Sequence, residues 1–170
     1  MPKDELTMFL ESWDSEASRT AAVLQSLPAD KYDFRPDPDG RSLGELAWHL
    51  AEIDGYMSHG IATGSFADGR PPGLERPRAV AELASGYARV HGDAKTRLAK
   101  LTAADLDRQV KFFGDRVLPV RHVLWSAMLQ HLIHHRGQLV LLCRLAGGKP
   151  PGLYGPTREE TLAMRARAKA

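Results

Sequence analysis

Residues 42–57 read SLGELAWHLAEIDGYM and carry the clearest helical signal in the chain. Ser42 and Glu45 have the spacing of a capping box, in which each side chain accepts a hydrogen bond from the other residue's backbone N–H. The apolar positions that follow recur every three or four residues, as on the buried face of a helix. They are Leu46, Leu50, Ile53 and Met57. The segment therefore predicts a helix that begins after Ser42 and ends near Gly60 and Gly64.

The same apolar spacing predicts three further helices. They cover residues 6–27, 78–101 and 119–146. Proline-rich residues 28–41 and glycine- and proline-rich residues 64–77 are expected to connect helices, and Pro119 is expected in the first turn of the last one. Between the third and fourth helices, residues 107–118 are expected to form a short extended piece or a loop. Four amphipathic helices with a long crossover loop predict an all-α, up-down four-helix bundle.

The length of 170 residues fits one domain with its own core. We expect a single metal-binding bundle domain over residues 1–156, followed by a charged tail, residues 157–170, that forms a frayed or docked short helix. Lys and Arg number 23 against 21 Asp and Glu, which gives a formal charge of +2. Such a balance argues against a nucleic-acid or membrane-surface partner, which would need concentrated basic charge.

The compartment is predicted from the beginning of the chain and from its cysteine usage. Acidic residues interrupt the apolar ones at the N-terminus, so no signal peptide is expected, and no apolar run approaches the roughly 20 residues that span a bilayer. Cys143 is the single cysteine, so it cannot form an internal disulfide, and we expect it to be a small buried hydrophobe. These features favour a soluble protein of the reducing cytoplasm.

Residues 131–139 read HLIHHRGQL and place three histidines on the last predicted helix. His131 and His135 are four residues apart, about 40° around a helix, so both imidazoles project from one face and can bind one metal ion. His134 lies about 60° to the other side of His131 and is less well aligned. A solvent-facing pair or a core histidine explains the same spacing without a metal. The zinc-protease motif H-E-x-x-H is absent, which excludes that class.

His49 lies on the apolar side of the second predicted helix. A lone histidine there is most simply a hydrogen-bonded core residue, but beside an inward-facing histidine pair it supplies the third nitrogen of a divalent metal site. The spacing does not show that the two helices face each other. His59 and His91 are expected at the surface, and His122 is expected to cap the last helix or to be solvated.

No general acid or base is assigned from the sequence. Glu52 and Tyr56 lie three and seven residues after His49, where they can orient a ligand or simply pack on the helix surface. Gln138 can fix the tautomer of a ligand imidazole. The three tryptophans are expected in the core or at an interface. They are Trp13, Trp48 and Trp125.

Residues 42–57, followed by HLIHHRGQLVLLCRLAGGKPPGLYGP at 131–156, resemble the DinB family, the DinB/YfiT-like four-helix-bundle metalloenzymes. The resemblance covers nearly the whole chain in the right order. It implies a divalent metal held by His49, His131 and His135, and it implies a homodimer. Characterised members include thiol-dependent transferases and isomerases that use low-molecular-weight thiols such as mycothiol, bacillithiol or glutathione, while most members have no assigned reaction.

The expected function is that of a metal-dependent enzyme, a thiol-dependent S-transferase or a hydrolase, with an open three-histidine site. Its partners would be a small-molecule substrate or thiol. Imidazole ligands suit zinc or nickel, and iron or manganese are also compatible. The alternative is a non-catalytic, stress-related protein that binds metal or mainly dimerises.

Overall fold

A computed structural model of the chain describes residues 3–66, 71 and 73–168. Six α-helices are present in this part of the chain: α1 Glu5–Gln25, α2 Leu43–Thr63, α3 Leu83–Leu98, α4 Val120–His122, α5 His131–Leu145 and α6 Arg158–Arg167. Two short strands precede α4, β1 Gln109–Lys111 and β2 Val117–Pro119. Helix α2 packs against α3 and α5, and α1 packs against the same two helices. The all-α bundle predicted from the sequence is confirmed.

Local capping sets the start of α1 and both ends of α2; the signals for α2 were predicted from the sequence, whereas the cap of α1 was not. The Asp4 side chain accepts a hydrogen bond from the backbone N–H of Thr7 and begins α1. Ser42 and Glu45 form the expected capping box at the start of α2. Gly64 ends α2 with a φ of 79°, a left-handed conformation that glycine adopts without steric cost. The loop predicted over residues 64–77 lies partly outside the described residues.

Helix α3 is shorter than the predicted span of residues 78–101. A 3₁₀ turn over Val80–Glu82 precedes it, and it ends at Leu98. Gly86 is in its interior because α3 packs closely on α2 there: a Cβ atom at this position would lie 2.7 Å from a ring carbon of Trp48. The glycine therefore allows the close approach of the two helices.

Residues 107–118 include most of an antiparallel hairpin, so the extended alternative of the prediction is correct. Strand β1 pairs with β2 in the register Gln109↔Pro119 and Lys111↔Val117. Pro119 ends β2 and precedes the first residue of α4, so its predicted place in the first helical turn was wrong by one residue. The hairpin places Phe113 beside the functional site described below.

The fourth helix of the bundle, which we call the last bundle helix, spans residues 120–145 and is not uniformly α-helical. Between α4 and α5 it has a π-helical segment, Val123–Gln130. The backbone N–H of His131 donates to the carbonyl of Ser126, five residues earlier, and to that of Met128. The apolar spacing predicted one continuous helix here, and it did not indicate the wider turn.

Side chains from all four bundle helices form one core. Trp13, Trp48 and Cys143 are fully buried, as expected, and Trp125 packs at the edge of the core. Helix α6 lies on the outside without a buried residue, capped by Thr157. The division into a domain over residues 1–156 and a tail over 157–170 stays a prediction. Among the described residues, no helix is long and apolar enough to cross a membrane.

Candidate metal centre

Three half-buried imidazoles from two helices of the bundle lie close together. His49 comes from α2, and His131 and His135 come from α5; one candidate ligand atom from each lies within 4.8 Å of the others. The ring of His49 is 5.4 Å from that of His131 and 4.7 Å from that of His135, between centroids. The sequence left open whether these two helices face each other, and the structure shows that they do. We call these three residues the histidine cluster.

The π-helical segment provides the hydrogen-bond acceptor for the first histidine of α5. Because the backbone N–H of His131 donates to Ser126 and Met128, it does not use the carbonyl of Ala127, four residues back. That carbonyl lies 3.3 Å from Nδ1 of His131 and accepts its proton. Nε2 of His131 is therefore the unprotonated nitrogen, with its lone pair available to a metal ion.

Gln138 holds the second imidazole of α5 in the same tautomer. Its side-chain oxygen accepts a hydrogen bond from Nδ1 of His135 at 2.7 Å, and its amide nitrogen donates to Nε2 of His134 at 3.1 Å. The contact that the sequence suggested for Gln138 is present. His134 is exposed and is not part of the cluster.

The third imidazole is oriented from its own helix. Oε2 of Glu52 lies 3.4 Å from Nδ1 of His49, one turn along α2. Each ring of the histidine cluster thus has an oxygen at Nδ1, from a backbone carbonyl, an amide or a carboxylate. This arrangement leaves three Nε2 lone pairs for one ion, as in metal sites whose ligand histidines donate their other N–H to a second group.

Burial keeps the two histidines of α5 in the neutral form that binds metal. It lowers the pKa of His131 below the usual value, and the charge of His49 adds to that effect. Burial also lowers the pKa of His135, to about 4; the hydrogen bond to Gln138 opposes this shift, and His49 and His131 reinforce it. Both imidazoles are therefore neutral at pH 7, which ligation requires.

A cavity of about 340 Å³ opens beside the histidine cluster and includes two of its members. Its lining includes Arg41, His49, Tyr56, Met57, Phe113 and His131. We call this the cluster cavity. Three neutral nitrogen ligands beside an open space match a catalytic divalent site, in which three protein ligands leave a position for water or substrate. The residues present therefore fit a bound divalent ion.

The expectation that His91 lies at the surface was wrong. Its side chain is buried between α1, α2 and α3: Nδ1 lies 2.8 Å from Oδ2 of Asp54, and Nε2 lies 3.1 Å from Oδ1 of Asp14. Trp13 Nε1 donates to the other oxygen of Asp54 at 2.9 Å. We call His91, Asp54 and Asp14 the aspartate–histidine network. Asp54 follows Leu50 by four residues on the apolar face of α2, a signal that could have indicated a buried charge needing a partner.

The other two histidines lie apart from the cluster. His59 is half-buried near the end of α2, so its expected place at the surface is only partly correct. His122 is exposed in the first turn of the last bundle helix, as expected. Metal chemistry is therefore supported at one place among the described residues, the histidine cluster.

Fold and cluster together define a helical-bundle protein with a histidine group suited to a divalent metal ion. The model of the DinB family matches residues 1–166. The chain belongs to the DinB family.

The relatives that match over nearly the full length include an uncharacterised protein and two DinB-like proteins. An uncharacterised protein of Bacillus subtilis, YrdA, is 30% identical over 159 residues, which cover 91% of each chain. The crystal structure of a DinB-like protein from Bacillus cereus is similar with a TM-score of 0.70 and 30% identity, over 86% of this chain and 95% of that one. A DinB-like protein from Bacillus subtilis, YjoA, has a TM-score of 0.69 and 25% identity, over 89% and 99%.

Proposed function

We propose that this protein is a divalent-metal-dependent enzyme whose ion is bound by Nε2 of His49, His131 and His135. Two observations carry the proposal: each ring has an oxygen at Nδ1, which leaves Nε2 for a metal ion, and one candidate ligand nitrogen of each ring lies within 4.8 Å of the others. The adjoining cavity favours catalysis over simple storage, because it gives a small molecule access to the site.

A divalent ion at three neutral ligands keeps its full positive charge and lowers the pKa of a bound water or thiol, which supplies a nucleophile at neutral pH. The protein's part is to hold the three imidazoles in a fixed orientation and the two imidazoles of α5 neutral. Ala127 and Gln138 orient the two rings of α5, and Glu52 orients His49. The side chains of Met57 and Phe113 give the cavity an apolar wall that limits competing water.

The reaction class that this arrangement supports is nucleophilic transfer with a low-molecular-weight thiol, or hydrolysis with water. Membership of the DinB family supports the thiol, since the resemblance implies thiol-dependent members. A cavity of about 340 Å³ has the size of small-molecule sites. Zinc or nickel is the ion we propose, because imidazole nitrogens suit both.

Metal analysis of single-histidine variants tests the ligand assignment. Tag-free protein is loaded with zinc, dialysed and measured by elemental analysis. The wild type is expected to hold one equivalent, and His135→Ala to hold almost none with unchanged helical content. The matched control is His134→Ala, the neighbouring exposed histidine, which is expected to keep nearly all of the metal. Full metal content in His135→Ala would reject the assignment, and equal loss in both variants would mean that the wrong neighbour was chosen.

A reaction screen tests the enzymatic part of the proposal. The zinc- and nickel-loaded proteins are incubated with mycothiol, bacillithiol or glutathione together with small electrophiles, and separately with ester substrates. Turnover that disappears in His135→Ala would support the proposed function. Stoichiometric metal without turnover in any combination would instead support the non-catalytic alternative.

The homodimer implied by the family resemblance stays a prediction. Light scattering on the eluting protein peak gives its mass directly. A mass of twice 18.7 kDa is expected, and a monomer mass across the concentration range would contradict it.

A further inference from the structure

Arg41 is a cation beside the histidine cluster. Two other arginines share the carboxylate of Glu45. Nη2 of Arg35 lies 2.7 Å from Oε2 of Glu45, and Nη1 of Arg76 lies 3.2 Å from Oε1. In the part of the chain that the structure describes, no carboxylate lies within ion-pair distance of Arg41. Its charge therefore remains available to a ligand.

The position of Arg41 connects it to the site. It lines the cluster cavity together with His49 and His131. It also lines an adjoining apolar cavity of about 290 Å³ that includes Gln138 and Leu142. Arg41 thus borders both cavities, one of which includes two members of the histidine cluster.

We propose that Arg41 anchors the substrate of this site and that the substrate carries a carboxylate. This inference rests on the proposed function. The guanidinium binds the carboxylate through paired N–H donors, for which its planar geometry is suited. The apolar part of the substrate packs on Met57 and Phe113, whose side chains form the wall of the same cavity. The reacting group is then held near the three imidazoles.

The lining of the two cavities favours a substrate with an apolar body. Met57 and Phe113 border the cluster cavity beside Arg41, and Leu142 borders the adjoining cavity. A guanidinium binds both carboxylates and phosphates through paired donors, so the test includes a ligand of each kind. We expect carboxylates with an apolar body, such as arylalkyl carboxylates.

Binding of phenylacetate tests this inference without any turnover. The probe is titrated by calorimetry or ligand-observed NMR into the zinc-loaded protein and into the metal-free protein. Arg41→Gln is expected to weaken binding by about fivefold or more, and Arg41→Lys to restore part of it. Phenylacetamide, which has the same shape without the charge, is expected to bind weakly and equally to the wild type and Arg41→Gln. Much tighter binding of phenyl phosphate than of phenylacetate would overturn the assignment of a carboxylate.

The matched control is Arg76→Gln, which removes the same charge close by but lies outside both cavities; it is expected to leave the affinity within twofold. Arg41 is exposed and has no acidic partner among the described residues, so its replacement is expected to leave the fold intact. Equal phenylacetate binding by the wild type and Arg41→Gln, or no binding by the wild type, would overturn the inference.

The zinc content of each sample separates this inference from the proposed function. If the wild type holds no zinc but its metal-free form binds phenylacetate in an Arg41-dependent way, the metal proposal fails and the anchor stands. If zinc binds stoichiometrically to both proteins and phenylacetate does not distinguish them, the anchor fails and the metal proposal stands.

Discussion

The bundle contains two groups of histidine with opposite chemistry, a half-buried cluster and a buried network. In the histidine cluster, three imidazoles face one another, and burial holds the pKa of His135 at about 4. In the aspartate–histidine network, burial alone would lower the pKa of His91. Hydrogen bonds and charges from Asp54 and Asp14 outweigh that effect and raise the pKa above its usual value.

The partner atoms explain the difference. His91 contacts carboxylates through both ring nitrogens, so the protonated imidazolium is stabilised and no lone pair remains for a metal. In the histidine cluster each ring contacts an oxygen through one nitrogen and leaves the other free. The first arrangement is suited to holding α1, α2 and α3 together, and the second is suited to binding an ion. The comparison shows that burial alone does not determine the pKa of a histidine; the partner atoms at its two ring nitrogens contribute as well.

The largest effect that would test this contrast is the loss of His91. His91→Ala leaves the fully buried Asp54 without its cationic partner, which costs about 3 kcal/mol or more in the free energy of unfolding. Urea denaturation of the metal-free protein measures it. The control is His134→Ala, an exposed histidine whose loss is expected to change the midpoint little. A loss below about 1 kcal/mol for His91→Ala would mean that the network carries no structural charge pair.

Metal binding at the histidine cluster should raise the free energy of unfolding by an amount comparable to the loss expected for His91→Ala. With free zinc at about a hundred times its dissociation constant, the folded state gains about 2.7 kcal/mol. Thermal unfolding with zinc, and again with excess chelator, measures the shift. His135→Ala is expected to abolish the shift, since it removes one of three ligands. An equal zinc-dependent shift in that variant would show that the ion binds elsewhere.

Replacing a residue that orients a ligand ring should have a smaller effect on zinc binding than removing a ligand. Gln138→Ala removes the acceptor at Nδ1 of His135 and is expected to lower zinc affinity by about ten- to a hundredfold while leaving all three ligands. Competition with a colorimetric chelator gives the affinity. Glu52→Gln is expected to lower zinc affinity less than Gln138→Ala does. The reason is that Oε2 of Glu52 lies 3.4 Å from Nδ1 of His49, a long contact. An unchanged affinity in Gln138→Ala would show that the hydrogen bond at Nδ1 does not matter for binding.

Much of this arrangement follows from local sequence. The capping box at Ser42 and the three- and four-residue apolar spacing predict where α1 and α2 lie, because these signals depend on neighbouring residues only. The i, i+4 spacing of His131 and His135 places both rings on one face for the same reason. The approach of His49 is a tertiary fact, and the sequence supplied it only through the family resemblance.

Two features required the structure because non-local contacts decide them. The π-helical turn before His131 is not visible in the apolar spacing, yet it leaves the Ala127 carbonyl as an acceptor for the ring. His91 was expected at the surface because Gly92 follows it, but its partners come from α1 and α2 and lie 77 and 37 residues away along the chain. Pairings over such separations leave no local pattern.

The smallest expected effect is in the pH dependence of stability, where the two groups should act in opposite directions. In the metal-free protein the unfolded state protonates His135 near its ordinary pKa of 6.5, and the folded state does so only near 4. The unfolded state therefore binds more protons across that window, and the contribution of His135 to stability falls as the pH is lowered from 7 to 4. His91 has a raised pKa. Its contribution to stability is fully present below the ordinary value of 6.5 and is lost as the pH rises through the folded-state pKa.

Urea unfolding of metal-free His135→Ala at pH 5 and pH 8 measures the first effect. The free energy of unfolding that the variant loses relative to wild type should be smaller at pH 5 than at pH 8, by up to about 1 kcal/mol because solvent screens this partly exposed site. For His91→Ala the loss should instead be larger at pH 5, and the same sign for both variants would contradict the assignment of a neutral cluster and a charged network.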